Sequence, residues 1–165
     1  MIRRAVVEDA RDLAAVHIGT WQEAYKDDFP AEFLGSFDVE ARARWFTNQI
    51  QSGAVILVAI EKSETVGFCW VGPSDDKAWA EIYAIYVDPN SWSSGVGFRL
   101  FAASIETLAS LGYNHLMLWV LESNERARSF YERQGMTIAR PFRLEEIGGV
   151  QVTEIRYELD LPARS

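Results

Sequence analysis

The stretch that decides the fold is AWAEIYAIYVDPNSWSSGVG, residues 78–97. Ala78 to Val87 is apolar on both alternating faces, the pattern of a strand buried inside a sheet, and Glu81 is its one charge. Asp88-Pro89-Asn90 stops the strand, because proline has no ladder donor and restricts the residue before it. A glycine-bearing turn, Ser93 to Gly97, then opens a helix whose Leu100, Phe101, Ile105, Leu108 and Leu111 are expected to face inward. Gly112 suits the left-handed position that ends such a helix. A strand, a glycine turn and a helix in that order make a layered α/β crossover.

Downstream, His115 to Leu121 is the next strand, and Ser123-Asn124 caps a helix that runs to Gly135. Met136 to Phe142 and Val150 to Leu159 are closing strands joined around Gly148-Gly149. Upstream, Ala54 to Ile60 and Thr65 to Val71 flank Lys62-Ser63-Glu64 and read as a hairpin. Earlier still, Ala14, Ile18, Trp21 and Tyr25 recur at helical spacing, and Val39, Ala43, Phe46 and Ile50 repeat it behind a capping Asp38. Ile2 to Val7 opens the chain as a strand. No linker, repeat or low-complexity tract interrupts this order, so residues 1–165 are expected to form one domain.

Composition narrows the function. The formal net charge is -8, which argues against a duplex nucleic-acid binder, since such binding needs clustered Lys and Arg. An acidic surface steers cations inward, and equally it serves solubility alone. Cys69 is the single cysteine, so neither an internal disulfide nor a Cys-based zinc site can form; His115 has no companion that suggests a metal, and His17 reads as a satisfied helix residue rather than a second base. Met1 to Ala5 lacks a signal-peptide core and no apolar run reaches membrane-spanning length, which gives a cytoplasmic protein as the expectation. Aromatic residues make up 13% of the chain, enough to line a cleft as well as fill a core.

The glycine turn carries the first chemical signal. A helix N-terminus leaves amide N–H groups unpaired and partially positive, and glycines let a phosphate approach them. Taken alone, the pair is as readily a structural turn. The second signal is Asn124-Glu125-Arg126-Ala127-Arg128-Ser129-Phe130-Tyr131-Glu132-Arg133-Gln134-Gly135.

Together the two segments resemble the GNAT N-acetyltransferase superfamily, whose strand–(Q/R)-x-x-G-x-(G/A)–helix falls on Trp92 to Gly97. Its N-x-x-A-x-x-F-Y-x-x-x-G falls on Asn124 to Gly135. The resemblance covers the element order from Ile2 to Leu159. It implies an α/β fold with a mixed, mostly antiparallel central sheet flanked by helices on both faces. It also implies an enzyme that moves an acetyl group from acetyl-CoA, used as co-substrate without a metal, to a primary amine. Trp92 stands where the family usually has Gln or Arg, and Ser94 where a second basic residue is common, so the phosphate site loses up to two cations. The backbone from Ser93 through Gly95 and Val96 to Gly97 and two serine hydroxyls remain.

By the same resemblance Ile85 and Val87 hold the cofactor's pantetheine and polarise the thioester. Asn124 contacts the pantetheine, and Tyr131 lies near the sulfur. A phenol is a competent proton donor to the leaving thiolate. Asn124 also reads as a plain cap, and Tyr131 as a core aromatic. An ammonium acceptor must lose a proton before it attacks, and Glu81 is the candidate base, with a structural ion-paired carboxylate as the alternative. Cys69 reads as core, so attack is direct within a ternary complex. Trp21 and Tyr25 share a helix face and serve either as core or as the aromatic wall of a cationic acceptor's pocket. The acceptor is a small molecule or a protein, with no nucleic acid or membrane partner. A homodimer would form through the C-terminal strands, and the alternative to catalysis is an acyl-CoA-binding regulatory module of the same fold.

Overall fold

In the computed structural model, which describes residues 1–163, the chain begins with β1 (Ile2–Arg4), α1 (Ala10–Ala24), a short α2 (Ala31–Gly35) and α3 (Val39–Gln51). Strands β2 (Val55–Glu61), β3 (Glu64–Pro73) and β4 (Ala80–Val87) follow. Next come α4 (Val96–Ser110), β5 (His115–Leu121), α5 (Glu125–Arg133), β6 (Thr137–Ile147) and β7 (Val150–Asp160). The seven strands form one sheet ordered β1-β2-β3-β4-β5-β7-β6, antiparallel throughout except for β4 with β5.

Local chemistry explains the boundaries. Asp38 caps α3 by accepting from the Ala41 amide at 2.9 Å, satisfying a donor the helix cannot use itself. Gly148 and Gly149 both have positive φ, 58° and 78°, as a two-residue hairpin turn between β6 and β7 requires. The first strand ends at Arg4, short of the expected Val7, because Val7–Asp9 tightens into a 3-10 turn. Asp9 locks that turn by accepting from the Val6 amide at 2.8 Å and from Arg3 Nη1 and Nη2 at 2.7 and 2.8 Å. Strand β6 runs to Ile147, past the expected Phe142, because its ladder with β7 continues to the Ile147–Val150 pair. Leu111 is exposed where burial was expected, since α4 ends at Ser110 and the chain turns outward there. Helix α2, at five residues, is too short to show a period in sequence.

Alternation along the strands splits the interior into two layers. Leu57, Cys69, Val71 and Ile82 pack against Leu100 and Leu108 of α4. Ile56, Val58 and Phe68 face the other way, onto Leu13 and Ala14 of α1 and Phe46 of α3. A third cluster, Tyr25, Phe29 and Leu34, joins α1 and α2 to Leu121 and to Ile147 and Val152 of the β6–β7 hairpin.

The centre of the sheet is not continuous. Parallel pairing of β4 and β5 is confined to Ala80–Leu116 and Glu81–Met117. Beyond that point they do not pair, and Tyr83 enters β4 as an extra residue between the Trp70–Ala84 and Val71–Ile82 pairs. Burial on both faces of β4, expected over its whole length, is therefore not met: only Ala80 and Ile82, both on the α4 face, are fully buried, Tyr83 is exposed, and Glu81, Ile85 and Val87 are half-buried.

His17 lies among these layers, stacked on Tyr86 at 5.1 Å and edge-on to Phe46 and Phe68. Against the expectation of a satisfied ring, its Nδ1 is buried without a hydrogen-bond partner among the described residues, and burial, aided by the Arg42 charge, lowers its pKa to about 4. Between its ordinary value and that one the unfolded chain takes up a proton the folded chain resists, so stability falls as pH falls. The loss across that window is about 3 kcal/mol. Below it Asp9, whose carboxyl the Arg3 guanidinium holds under its ordinary value, adds a further loss as it protonates. Urea denaturation from pH 7 down to pH 4.5 should show this slope, and His17→Phe should flatten it. Equal slopes in the two proteins would exclude His17 as its source.

Candidate active site

Where β4 and β5 part, a cleft of about 680 Å3 opens between α1, the α4 turn and α5. Its walls include Ile85 and Val87 from β4, then Trp92, Ser93, Gly95 and Gly97 from the turn. Asn124 and Tyr131 reach it from α5, and Trp21 and Tyr25 from α1. Ten of the residues singled out in sequence thus share one cavity.

Three others do not line it. Val96 is buried in the α4 core. Ser94 Oγ donates to the Ser91 carbonyl at 2.5 Å and so braces the turn. Glu81 lies between Ala80 and Ile82, which belong to the α4 layer, so its side chain leaves on the opposite face of the sheet. There it is half-buried, and its pKa is raised by burial against the opposing pull of Arg143.

The turn is built for an anion. Gly95 sits at the N-cap of α4 with φ 83°, a left-handed conformation suited to glycine, and it supplies no capping side chain. The first-turn amides are therefore uncapped beside the cleft. At Gly97 a Cβ would meet the Phe130 ring at 3.5 Å, which shows how closely α4 and α5 approach here. These features fit a diphosphate group held by backbone donors, as acetyl-CoA would present. Among the described residues no group of three or more His, Cys, Asp and Glu could hold a metal ion, and no helix is long and apolar enough to cross a membrane.

Tyr131 is 7% exposed, and burial pushes its phenol well above the ordinary value, so it stays protonated. Cys69, fully buried, is pushed up to about 12 and cannot serve as a nucleophile near neutrality. Asn124 does two jobs: Oδ1 caps α5 through the Ala127 amide at 3.0 Å, and Nδ2 donates to the Tyr25 hydroxyl at 2.9 Å. Each end keeps one further donor or acceptor site. The Val87 carbonyl accepts from Trp92 Nε1 at 2.8 Å and Thr20 Oγ1 at 3.2 Å, so that oxygen is already engaged. Trp21 Nε1 donates to the Tyr86 hydroxyl at 3.0 Å, and its ring lies 4.6 Å from that of Tyr25.

Among the wall residues that sequence reasoning missed, those with charge or an indole ring are Trp119, Arg126, Arg133 and Glu154. Glu154 is the one carboxylate on the wall among the described residues. Arg143 braces it, with Nε and Nη2 each 3.3 Å from its oxygens, and the same guanidinium lies 4.2 Å over the Trp119 ring. Strand alternation could have placed Glu154 opposite the buried Ile155 and Tyr157. Nothing local reveals that this face of β7 borders a cleft made by β4 and α1.

Residues 18–136 match the acetyltransferase (GNAT) family. A Bacillus subtilis protein named "Uncharacterized N-acetyltransferase YuaI" is 30% identical, over 93% of this chain and 89% of its own length. A Mycobacterium tuberculosis protein named "Probable N-acetyltransferase Rv2775" is 27% identical, over 96% and 92%. Among solved structures, a Salmonella typhimurium protein titled yncA, described with its cofactor acetyl-CoA, superposes with a TM-score of 0.76. That match has 17% identity and covers 100% of this chain and 95% of the other, which shows a shared fold.

Proposed function

Since this chain belongs to the GNAT acetyltransferase family, and is an acetyl-CoA-dependent N-acetyltransferase, we propose that it acetylates a primary amine by direct attack within a ternary complex. The observation that carries this reading is the cleft itself, with an uncapped helix turn at one end and a buried, protonated tyrosine in its wall. Bound acetyl-CoA supplies an activated thioester. The amides from Ser93 to Gly97 grip its diphosphate, and the edge of β4 at Ile85 and Val87 orients the arm that follows. Asn124 fixes the start of α5 and ties it to Tyr25, which keeps the donor and acceptor halves of the cleft in register. Tyr131 holds a proton at its hydroxyl oxygen for the departing sulfur.

On the acceptor side, Trp21, Tyr25 and Trp119 give aromatic walls and Glu154 gives a negative charge, a setting for an alkyl-ammonium group. The acceptor is an amine, free or protein-borne, met in the cytoplasm. Glu81, on the Glu154 side of the sheet, is the reservoir for the proton the ammonium gives up, reached through water.

Calorimetry should show CoA binding, and free thiol should appear when acetyl-CoA and a suitable amine are mixed. No heat at millimolar CoA would end this reading. Glu81→Gln should lower kcat/KM by about 10- to 100-fold and leave CoA affinity intact. A base works when deprotonated, and the Glu81 pKa is raised. The wild-type profile should therefore rise with pH through a value above the ordinary carboxylate range, and the variant should lose that limb. An unchanged profile would remove Glu81 from the mechanism.

A further inference from the structure

The family resemblance leaves the phosphate turn short of cations, yet the structure shows two arginines at that end of the cleft. Arg126 and Arg133, both on α5, line the cavity, and neither has a carboxylate partner within ion-pair distance among the described residues. They are close enough for the Arg133 charge to act on Arg126. In a chain with net charge -8, two unneutralised guanidinium groups on one cleft are unusual, because acidic side chains are plentiful and each pairing would relieve the repulsion.

Trp92 accounts for the position of the first. Its indole Nε1 is anchored to the Val87 carbonyl at 2.8 Å, and the Arg126 guanidinium lies 3.9 Å over its ring. A guanidinium stacked on an aromatic face keeps its N–H edges free, and those edges form the planar fork that matches a phosphate. Tryptophan at this position of the turn is thus a platform. It holds beside the turn a charge that comes from α5, 34 residues later in the chain than Trp92 itself.

We propose that Arg126, seated on Trp92 and seconded by Arg133, is the cationic phosphate-binding group of this protein, replacing the basic residues the turn lacks. This rests on the acetyl-CoA reading above. Arg126 contacts the ligand, and Trp92 is a positioning residue. The phosphate in contact is the diphosphate or the 3′-phosphate of CoA, and dephospho-CoA, which keeps only the former, separates them.

The test is calorimetry of CoA and dephospho-CoA with the whole chain and three variants, over a range of salt concentrations. Arg126→Ala should weaken CoA binding by about tenfold or more and reduce its salt dependence. Arg126→Lys should recover only part of the affinity, because an ammonium keeps the charge and loses the fork. Trp92→Ala should mimic Arg126→Ala, and adding it to Arg126→Ala should cost little more, as expected of a residue acting through another. An equal loss for both ligands assigns the diphosphate; a loss confined to CoA assigns the 3′-phosphate. Circular dichroism spectra and melting midpoints that match the wild type establish that the variants are folded. A wild type that binds CoA while Arg126→Ala binds it equally well at every salt concentration overturns this proposal alone. A wild type that binds no CoA overturns it together with the reading it rests on.

Discussion

Tyr131→Phe should lower kcat by about 100- to 1,000-fold while the affinity for acetyl-CoA changes little, because general acid catalysis by a positioned side chain contributes on that scale. The substitution removes one oxygen from a ring that is 7% exposed and otherwise packs in the α4 layer beside Met136 and Tyr157. Volume and rotamer are preserved, so the fold should not suffer. Among the described residues the hydroxyl has no hydrogen-bond partner that the loss would leave unpaired, and burial together with the nearby Tyr25, Tyr86 and Cys69 acts on its ionisation. Those influences raise its pKa well above the ordinary value, so the proton is present throughout the neutral and mildly alkaline range. The wild-type rate should accordingly show no loss from Tyr131 ionisation up to pH 10, where an ordinary phenol would be half ionised. Single-turnover measurements with and without the hydroxyl would isolate the chemical step. A Tyr131→Phe enzyme with wild-type kcat would mean that water protonates the leaving sulfur.

Glu154→Gln should reduce kcat/KM for amine acceptors by about 100-fold, chiefly through KM, and leave CoA binding untouched. A carboxylate facing an ammonium in a cleft makes a charge-assisted hydrogen bond that an amide cannot match. The variant also strips Arg143 of one carboxylate partner, but that guanidinium keeps Glu145 at 3.6 Å and is 42% exposed, so the cost to stability should stay below about 1 kcal/mol. The two carboxylates on this face are then separable by phenotype. Loss of Glu154 should show in acceptor KM and loss of Glu81 in the pH profile. If Glu154→Gln uses every amine as well as the wild type does, the acceptor lies elsewhere in the cleft.

Much of the frame was legible because it is written in local patterns. Helical spacing located α1, α3 and α4, and Asp38 and Asn124 marked helix starts that the structure caps through Ala41 and Ala127. Where the reading slipped, the cause was a contact it could not see. Leu111 has the right spacing for the buried face of α4, but the helix stops one residue before it. Ile85 and Val87 have the composition of buried strand positions, but their neighbour strand has already turned away.

The sequence by itself determined the order strand, glycine turn, helix, which the structure bounds at residues 80–110, the asparagine-capped helix, bounded at 125–133, and, through the two motifs together, the membership in a family. Each element depends on residues close together in the chain, where spacing and composition are sufficient information. Only the tertiary structure decided that Glu81 stands off the cleft wall while Glu154 lies on it, and that the cation near the glycine turn is Arg126. Those placements join strands and helices distant in sequence across the gap where β4 and β5 cease to pair. They depend on how the layers pack together, which no single segment of the chain encodes.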